Sequence, residues 1–258
     1  MGPRVLCEEA GEHWIPVSQR FDYKRTLKAI ERIYKVPSKP KSPVTINHLR
    51  KIASSLSRRE KKQLSTATKW CAVLVGFWGF LRKGNYTSYN ESSFDPDSDL
   101  SISNLICRNK RWGIILTKTK TIQFGEREVI IWLPRLQDRS ICPSAAMDDM
   151  LSLRGEKLGR SEPLFMIDKK GTPLARKTFE KAFKSFFVGA NIPTKNMSPH
   201  SLRRGGATYA LSCGVSPTCI KLQGDWTSDA WMLYAWINDQ LKEETLEILE
   251  SKTQPCQG

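Results

Sequence analysis

Apolar positions recur at helical spacing through most of the chain and give way to β-branched and aromatic runs in one central region only. Leu27, Ile30 and Ile33, set among basic residues, predict a helix from about Asp22 to Tyr34. Two more helices are predicted over Thr45 to Leu56 and Ser65 to Leu81. The second contains TATKWCAVLVGFWGFL, apolar on nearly every side, which marks a core helix. It is expected to end at Arg82-Lys83-Gly84, with Gly84 in the left-handed cap position. Strands are predicted over Leu100 to Cys107, Trp112 to Thr117 and Glu128 to Leu133. The last two are joined through Lys118 to Gly125, which reads as a hairpin turning near Gly125. Helices follow from Cys142-Pro143 to about Arg154 and from Thr178 to Phe187, with a short apolar segment, Pro163 to Ile167, between them. The class is α+β, mainly helical with a small antiparallel sheet.

The C-terminal third has the densest pattern. Ser198 before Pro199 signals a helix start, expected to run to Gly214. His200 and Arg203 then share one face of its first turn, where unpaired backbone N–H groups favour an anion, and that face suits a phosphate. Ser216-Pro217 repeats the start signal and Gly224 ends a second short helix. Ser228 or Asp229 caps a third that carries Tyr234, so three helices converge on one pocket. Beyond it Asp239 to Ser251 predicts an acidic helix with Leu241, Leu246, Ile248 and Leu249 apolar. Near the other end, the proline-rich Val36 to Val44 is a stiff extended linker. The expected organisation is therefore 1–36, a linker over 37–44, a main domain over 45–238, and a tail over 239–258.

Charge sharpens this outline. There are 41 Lys and Arg against 26 Asp and Glu, a net charge of +15, and Asp239, Glu243, Glu244, Glu247 and Glu250 crowd near the C-terminus. The body is more basic than the total, which points to nucleic acid, with an anionic membrane as the weaker competitor. The 7 cysteines form no C-x-x-C pair, a usage that fits a reducing compartment. Cys213 and Cys219 with His200 match no common zinc spacing, so no metal is expected. The start, MGPRVLCEEAGEHW, has no apolar run suited to a signal peptide, and the apolar stretch around Val73 is interrupted too soon to span a membrane. Residence in the cytosol or nucleus is expected.

The order H-x-x-R (His200, Arg203), then G-x-W-x-S-D-A from Gly224, then Tyr234 resembles the C-terminal signature of the tyrosine recombinases, the phage-integrase family, above all its versions in eukaryotic mobile elements. The resemblance implies the tyrosine recombinase catalytic fold and two further residues upstream. An arginine ending a buried helix is matched by Arg82. A hairpin lysine is matched best by Lys120 in T-K-T-K-T, with Lys118 on the same face as the alternative. The family's usual acidic residue three positions after the arginine is Asn85 here, which implies different support for Arg82. Trp226 fills a position held by histidine or tryptophan; the spacing to Tyr234 common in the family selects Asp225 instead, but a carboxylate does not suit a phosphate. The resemblance also implies a helical DNA-clamping domain before the linker, of which residues 1–36 match only the last helix. It implies a tail that docks on a neighbouring protomer, with packing in cis as the alternative. Double-stranded DNA, a homo-oligomer (a tetramer) on it, and nuclear residence follow from the same likeness.

Metal-free cleavage of a phosphodiester needs a nucleophile, neutralised phosphate charge and an acid for the leaving oxygen. By resemblance these roles fall to Tyr234 as nucleophile, Arg82 and Arg203 on the non-bridging oxygens, His200 in proton transfer, Lys120 as acid, and Trp226 as an indole donor. No cofactor is implied. Singly, each residue has a plainer role: a solvated arginine at a helix end, lysines guarding a hairpin edge, a tyrosine in a core. A non-catalytic DNA-binding protein descended from such an enzyme is the second reading, and a type IB topoisomerase, which explains the G-D-W-T-S-D-A-W spacing less well, the third.

Overall fold

The computed structural model describes residues 8–11, 15–19, 21–34, 41–118, 128–155, 159–226 and 232. The chain divides into two units, Met1–Pro40 and Lys41–Gly258. In the first, helix α1 (Phe21–Tyr34) leaves Tyr23, Leu27 and Ile30 exposed along one side.

The second unit is built around one helix. Helix α2 (Ile46–Ser55) starts at a reciprocal cap, in which the Thr45 hydroxyl accepts from His48 N–H and His48 Nδ1 accepts from Thr45 N–H, each at 3.2 Å. Helix α3 (Arg58–Lys61) has the same device in Ser57 and Glu60. Helix α4 (Leu64–Trp78) buries every residue from Ala67 to Phe77 except the half-buried Lys69, as its all-round apolar sequence requires. It packs mainly against α5 (Pro143–Arg154) and α7 (His200–Ser212), with α6 (Arg176–Gly189) contributing Phe179, Phe183 and Phe187 to the same core. A short helix, α8 (Pro217–Gln223), is capped by the Ser216 hydroxyl. Among the described residues no helix is long and apolar enough to cross a membrane.

The sheet is antiparallel, in the order β1 (Leu105–Arg108), β2 (Arg111–Leu116), β3 (Val129–Trp132). Its register sets Cys107 opposite Trp112 and Leu116 opposite Val129, so Ile114, Leu116 and Ile131 enter the core. The first strand is shorter than predicted. Ser101 N–H donates to the Asn104 side chain at 2.9 Å, and Ile102–Asn104 turns as a 3-10 helix before pairing begins. The mainly helical α+β class with a small antiparallel sheet holds. The hairpin tip, the predicted helix carrying Tyr234 and the acidic helix beyond it lie outside the described residues.

The end of α4 corrects the sequence expectation. The helix stops at Trp78, and the left-handed residue is Phe80 (φ 50°), not Gly84. Leu81 N–H donates to the Gly76 carbonyl at 3.2 Å and Phe80 N–H to the Phe77 carbonyl at 3.3 Å, the paired bonds of a Schellman turn. Phenylalanine in this conformation costs about 1 kcal/mol, so surrounding contacts must hold it there.

Candidate active site

Helix α7 delivers two of the six candidates. It does not start on the Ser198 side chain as predicted: Pro199 occupies the cap position, and Ser198 N–H instead donates to Ser201 Oγ at 3.1 Å. From Ser201 to Ala207 every residue is buried, Arg203 and Arg204 included. Two glycines permit this depth. A Cβ on Gly205 would lie 1.9 Å from the Val44 carbonyl oxygen, and one on Gly206 2.0 Å from that of Phe77. The extended segment at Val44 is itself tied to α7, donating from its N–H to the Ser201 carbonyl at 3.0 Å.

Arg203 is 1% exposed. Its Nη1 donates to the carbonyl of Phe80, and its Cζ lies 3.8 Å from the centroid of the Trp226 ring, within cation–π range. Trp226 is also buried, against Phe80, Ala207 and Ile220. Gly224 makes room for it, since a Cβ there would meet the indole at 1.7 Å. Asp225, the spacing alternative to Trp226, has φ 49° and is 8% exposed. The left-handed turn at Phe80 thus presents a carbonyl to one candidate and a ring to another.

Arg82 follows two residues later and is half-buried. Its N–H donates to Asn85 Oδ1 at 3.1 Å, so the amide at the family's acidic position fixes the backbone of the arginine. Arg82 lines a cavity of about 590 Å³ together with His200, Lys41, Arg176 and Lys184. It also lines a second, of about 430 Å³, with Asn85, Ser98, Lys118 and Arg176. Lys118, the alternative hairpin lysine, donates to Ser98 Oγ at 3.1 Å, and both line that cavity.

His200 is half-buried, and its pKa is held below the ordinary imidazole value, first by burial and then by the charges of Arg203, Arg82 and Arg204. It is therefore neutral at neutral pH and able to take up a proton. Arg82 and His200 share one cavity, and Arg203, one turn along α7 from His200, is buried against Trp226, which lies just beyond the end of α8. Lys120 and Tyr234 lie outside the described residues. Among the described residues no cluster of His, Cys, Asp and Glu is suited to a metal ion.

Residues 98–240 match the model of the phage integrase family. The chain belongs to that family. Among solved structures, the XerH site-specific recombinase bound to difH substrate, a pre-cleavage complex, aligns with a TM-score of 0.56 at 14% identity, over 91% of this chain and 66% of that one. A lambda integrase dimer bound to a COC′ core site aligns with 0.56 at 15%, over 83% and 69%. The Tn1549 transposon integrase in complex with circular intermediate DNA aligns with 0.56 at 15%, over 93% and 81%. At these identities the likeness shows the fold, that of the tyrosine recombinase catalytic domain. This chain spans about two thirds of the XerH chain, 66% of its length. No curated protein matches it.

Within the family frame, the sequence reading missed Phe80, the buried Arg204, Arg176 on the cavity wall, and the glycine pair. Only the last left a signal: adjacent glycines inside a helix announce a close approach of backbone.

Proposed function

We propose that this chain breaks and rejoins duplex DNA as a site-specific tyrosine recombinase, through a 3′-phosphotyrosyl intermediate on Tyr234. The observation that carries the reading is the shared cavity of Arg82 and His200, with Arg203 fixed nearby on the same helix as His200, in a chain of the phage integrase family. The related folds, a recombinase and two integrases each bound to DNA, support the choice of substrate.

In this reading Arg82 and Arg203 hold the non-bridging oxygens of the scissile phosphate, where the guanidinium fork matches the oxyanion geometry. The Tyr234 hydroxyl attacks phosphorus. Its oxygen–phosphorus bond forms as the bond from phosphorus to the 5′-oxygen breaks. His200, kept neutral by burial and its cationic neighbours, receives the tyrosine proton. Lys120 gives a proton to the departing 5′-oxygen, with Lys118 as the alternative donor. Trp226 packs against the Arg203 guanidinium and directs it. Reversal by a second 5′-hydroxyl rejoins a strand without an external energy source. The working form is a homo-oligomer, a tetramer, on double-stranded DNA, and the kinship with eukaryotic mobile elements and nuclear residence belong to the same proposal.

The test is to incubate the chain and its Tyr234→Phe variant with a library of nicked duplexes, denature, and look for protein attached to DNA 3′ ends. An adduct with the parent alone supports the mechanism, and sequencing the trapped DNA gives the site. Salt-sensitive DNA binding without an adduct sinks it in favour of a non-catalytic DNA-binding protein.

A further inference from the structure

Arg176 has no part in the reaction just described, yet it lines both cavities that flank Arg82. It is the first residue of α6, and its backbone is tied to the segment that follows the turn after Arg82. Arg176 N–H donates to the Ser88 carbonyl at 3.0 Å, and Ser88 N–H donates to that of Leu174 at 3.2 Å. The guanidinium lies across Gly84, where an added Cβ would stand 3.3 Å from Nη2 and 3.5 Å from Cζ. A side chain at position 84 would press on it; glycine leaves the place open.

Among the described residues no carboxylate pairs with its charge, and its buried Nε has no hydrogen-bond partner. The carboxylates nearby are engaged elsewhere: Glu180, on the wall of the larger cavity, pairs with Lys83, and Glu91 accepts from the Thr178 hydroxyl at 2.7 Å. The guanidinium also stands over the ring of Tyr89, with Cζ 5.5 Å from its centroid, and Tyr89 is 71% exposed. Such an exposed cation–π contact steadies the side chain but leaves the donor fork unused. Lys41 and Lys184 add two ammonium groups to the wall of the cavity, so the lining is cationic well beyond Arg82.

We infer that Arg176, with Lys41 and Lys184 beside it, binds a second DNA phosphate next to the one held by Arg82, on the same strand. The inference rests on the reading of Arg82 as a phosphate ligand. Two arginines facing one open volume from adjoining turns suit a polyanion whose phosphates repeat along a strand better than a single small anion. Holding two neighbouring phosphates fixes the strand direction through the site, which a single clamp does not.

The test uses the full chain carrying Tyr234→Phe, so that no strand is cut, and a mixed-sequence duplex as probe. Affinity is measured from about 50 to 200 mM salt, where each neutralised phosphate contributes about 0.9 to the slope of log K against log salt. Arg176→Gln keeps much of the stem against Tyr89 but not the charge. It is expected to reduce the slope by about 1 and weaken binding about tenfold at the higher salt. Arg176→Lys keeps the charge and loses the fork, so it is expected to keep the slope and still bind several-fold more weakly. The parent slope in a folded Arg176→Gln protein overturns the proposal. Should that variant fail to fold, parent affinity in Arg176→Lys overturns it instead. With Tyr234 restored, absence of a covalent adduct beside the expected slope change removes the cleavage mechanism and leaves this phosphate site standing. An undiminished adduct beside an unchanged slope removes this site alone.

Discussion

Arg203 is 1% exposed, donates to the Phe80 carbonyl and lies against the Trp226 ring, whereas Arg82 is half-buried, faces two open cavities and is steadied through its backbone by Asn85. Burying a guanidinium costs several kcal/mol in lost hydration, so the pose of Arg203 is inseparable from the packing that surrounds it. Arg82 keeps much of its hydration and its place is set by a turn. One side of the site is therefore part of the core, and the other is presented by it. The proposed reaction needs both, because a fixed guanidinium gives geometry while an accessible one admits the strand.

The largest test of this contrast is a pair of alanine substitutions. Both Arg203→Ala and Arg82→Ala are expected to lower adduct formation by roughly 100-fold to 1000-fold, the loss typical when one charge-stabilising donor is removed. Only Arg203→Ala is expected to lower unfolding free energy as well, by about 3 kcal/mol, since it leaves a cavity and strips the Phe80 carbonyl of its donor. Denaturant melts that shift equally for the two would break the comparison. Next in size, Gly206→Ala pushes a methyl to 2.0 Å from the Phe77 carbonyl oxygen and 2.7 Å from the Phe80 ring, and is expected to cost about 2 to 3 kcal/mol. Gly84→Ala, on the open side, is expected to stay within about 0.5 kcal/mol in the same melts.

Smaller still is the difference between two substitutions at one position. Phe80→Ala and Phe80→Gly both remove the ring from Trp226, but only glycine adopts φ 50° without strain. The glycine variant is expected to be more stable than the alanine variant by about 1 kcal/mol. Equal melts would show that the turn is not strained.

The smallest effect is pH dependence. His200 and His48 both have pKa values below the free value of 6.5, each first through burial, with the arginines adding to the shift for His200 and Lys51 for His48. The unfolded chain therefore takes up protons first as pH falls. The stability these two histidines contribute is expected to be complete above about pH 6.5, to decline below it, and to level once pH passes the folded values. A bound phosphate answers the arginine charges around His200, so duplex DNA is expected to raise its pKa. Unfolding curves from pH 8 to 5 check both statements, with His200→Gln removing the share of one residue.

The buried side of this site was the harder to read in the sequence. An unbroken apolar run located α4, and proline start signals located α5, α7 and α8, because both leave their mark in the local order of residues. H-x-x-R singled out His200 and Arg203 as candidates, and the family resemblance, with the end of an apolar helix, singled out Arg82. The sequence reading put the left-handed turn at Gly84 because glycine is the usual residue there; a phenylalanine held at φ 50° by long-range packing leaves no local mark. Arg176 was invisible for a related reason, since only the fold brings the start of α6 over Gly84. The first strand was overextended because Asn104 caps the Ser101 backbone, a side-chain bond that competes with pairing.

The bond from Arg203 to the Phe80 carbonyl closes a loop of 123 residues. Contacts so far apart in sequence form only once most of the intervening chain has condensed. A partly folded molecule would carry both arginines yet hold neither Arg203 nor Trp226 in register with Arg82. In the proposed reaction, competence to grip a phosphate would then appear only with completed folding, and a nascent or damaged chain would lack the alignment that the proposed cleavage requires.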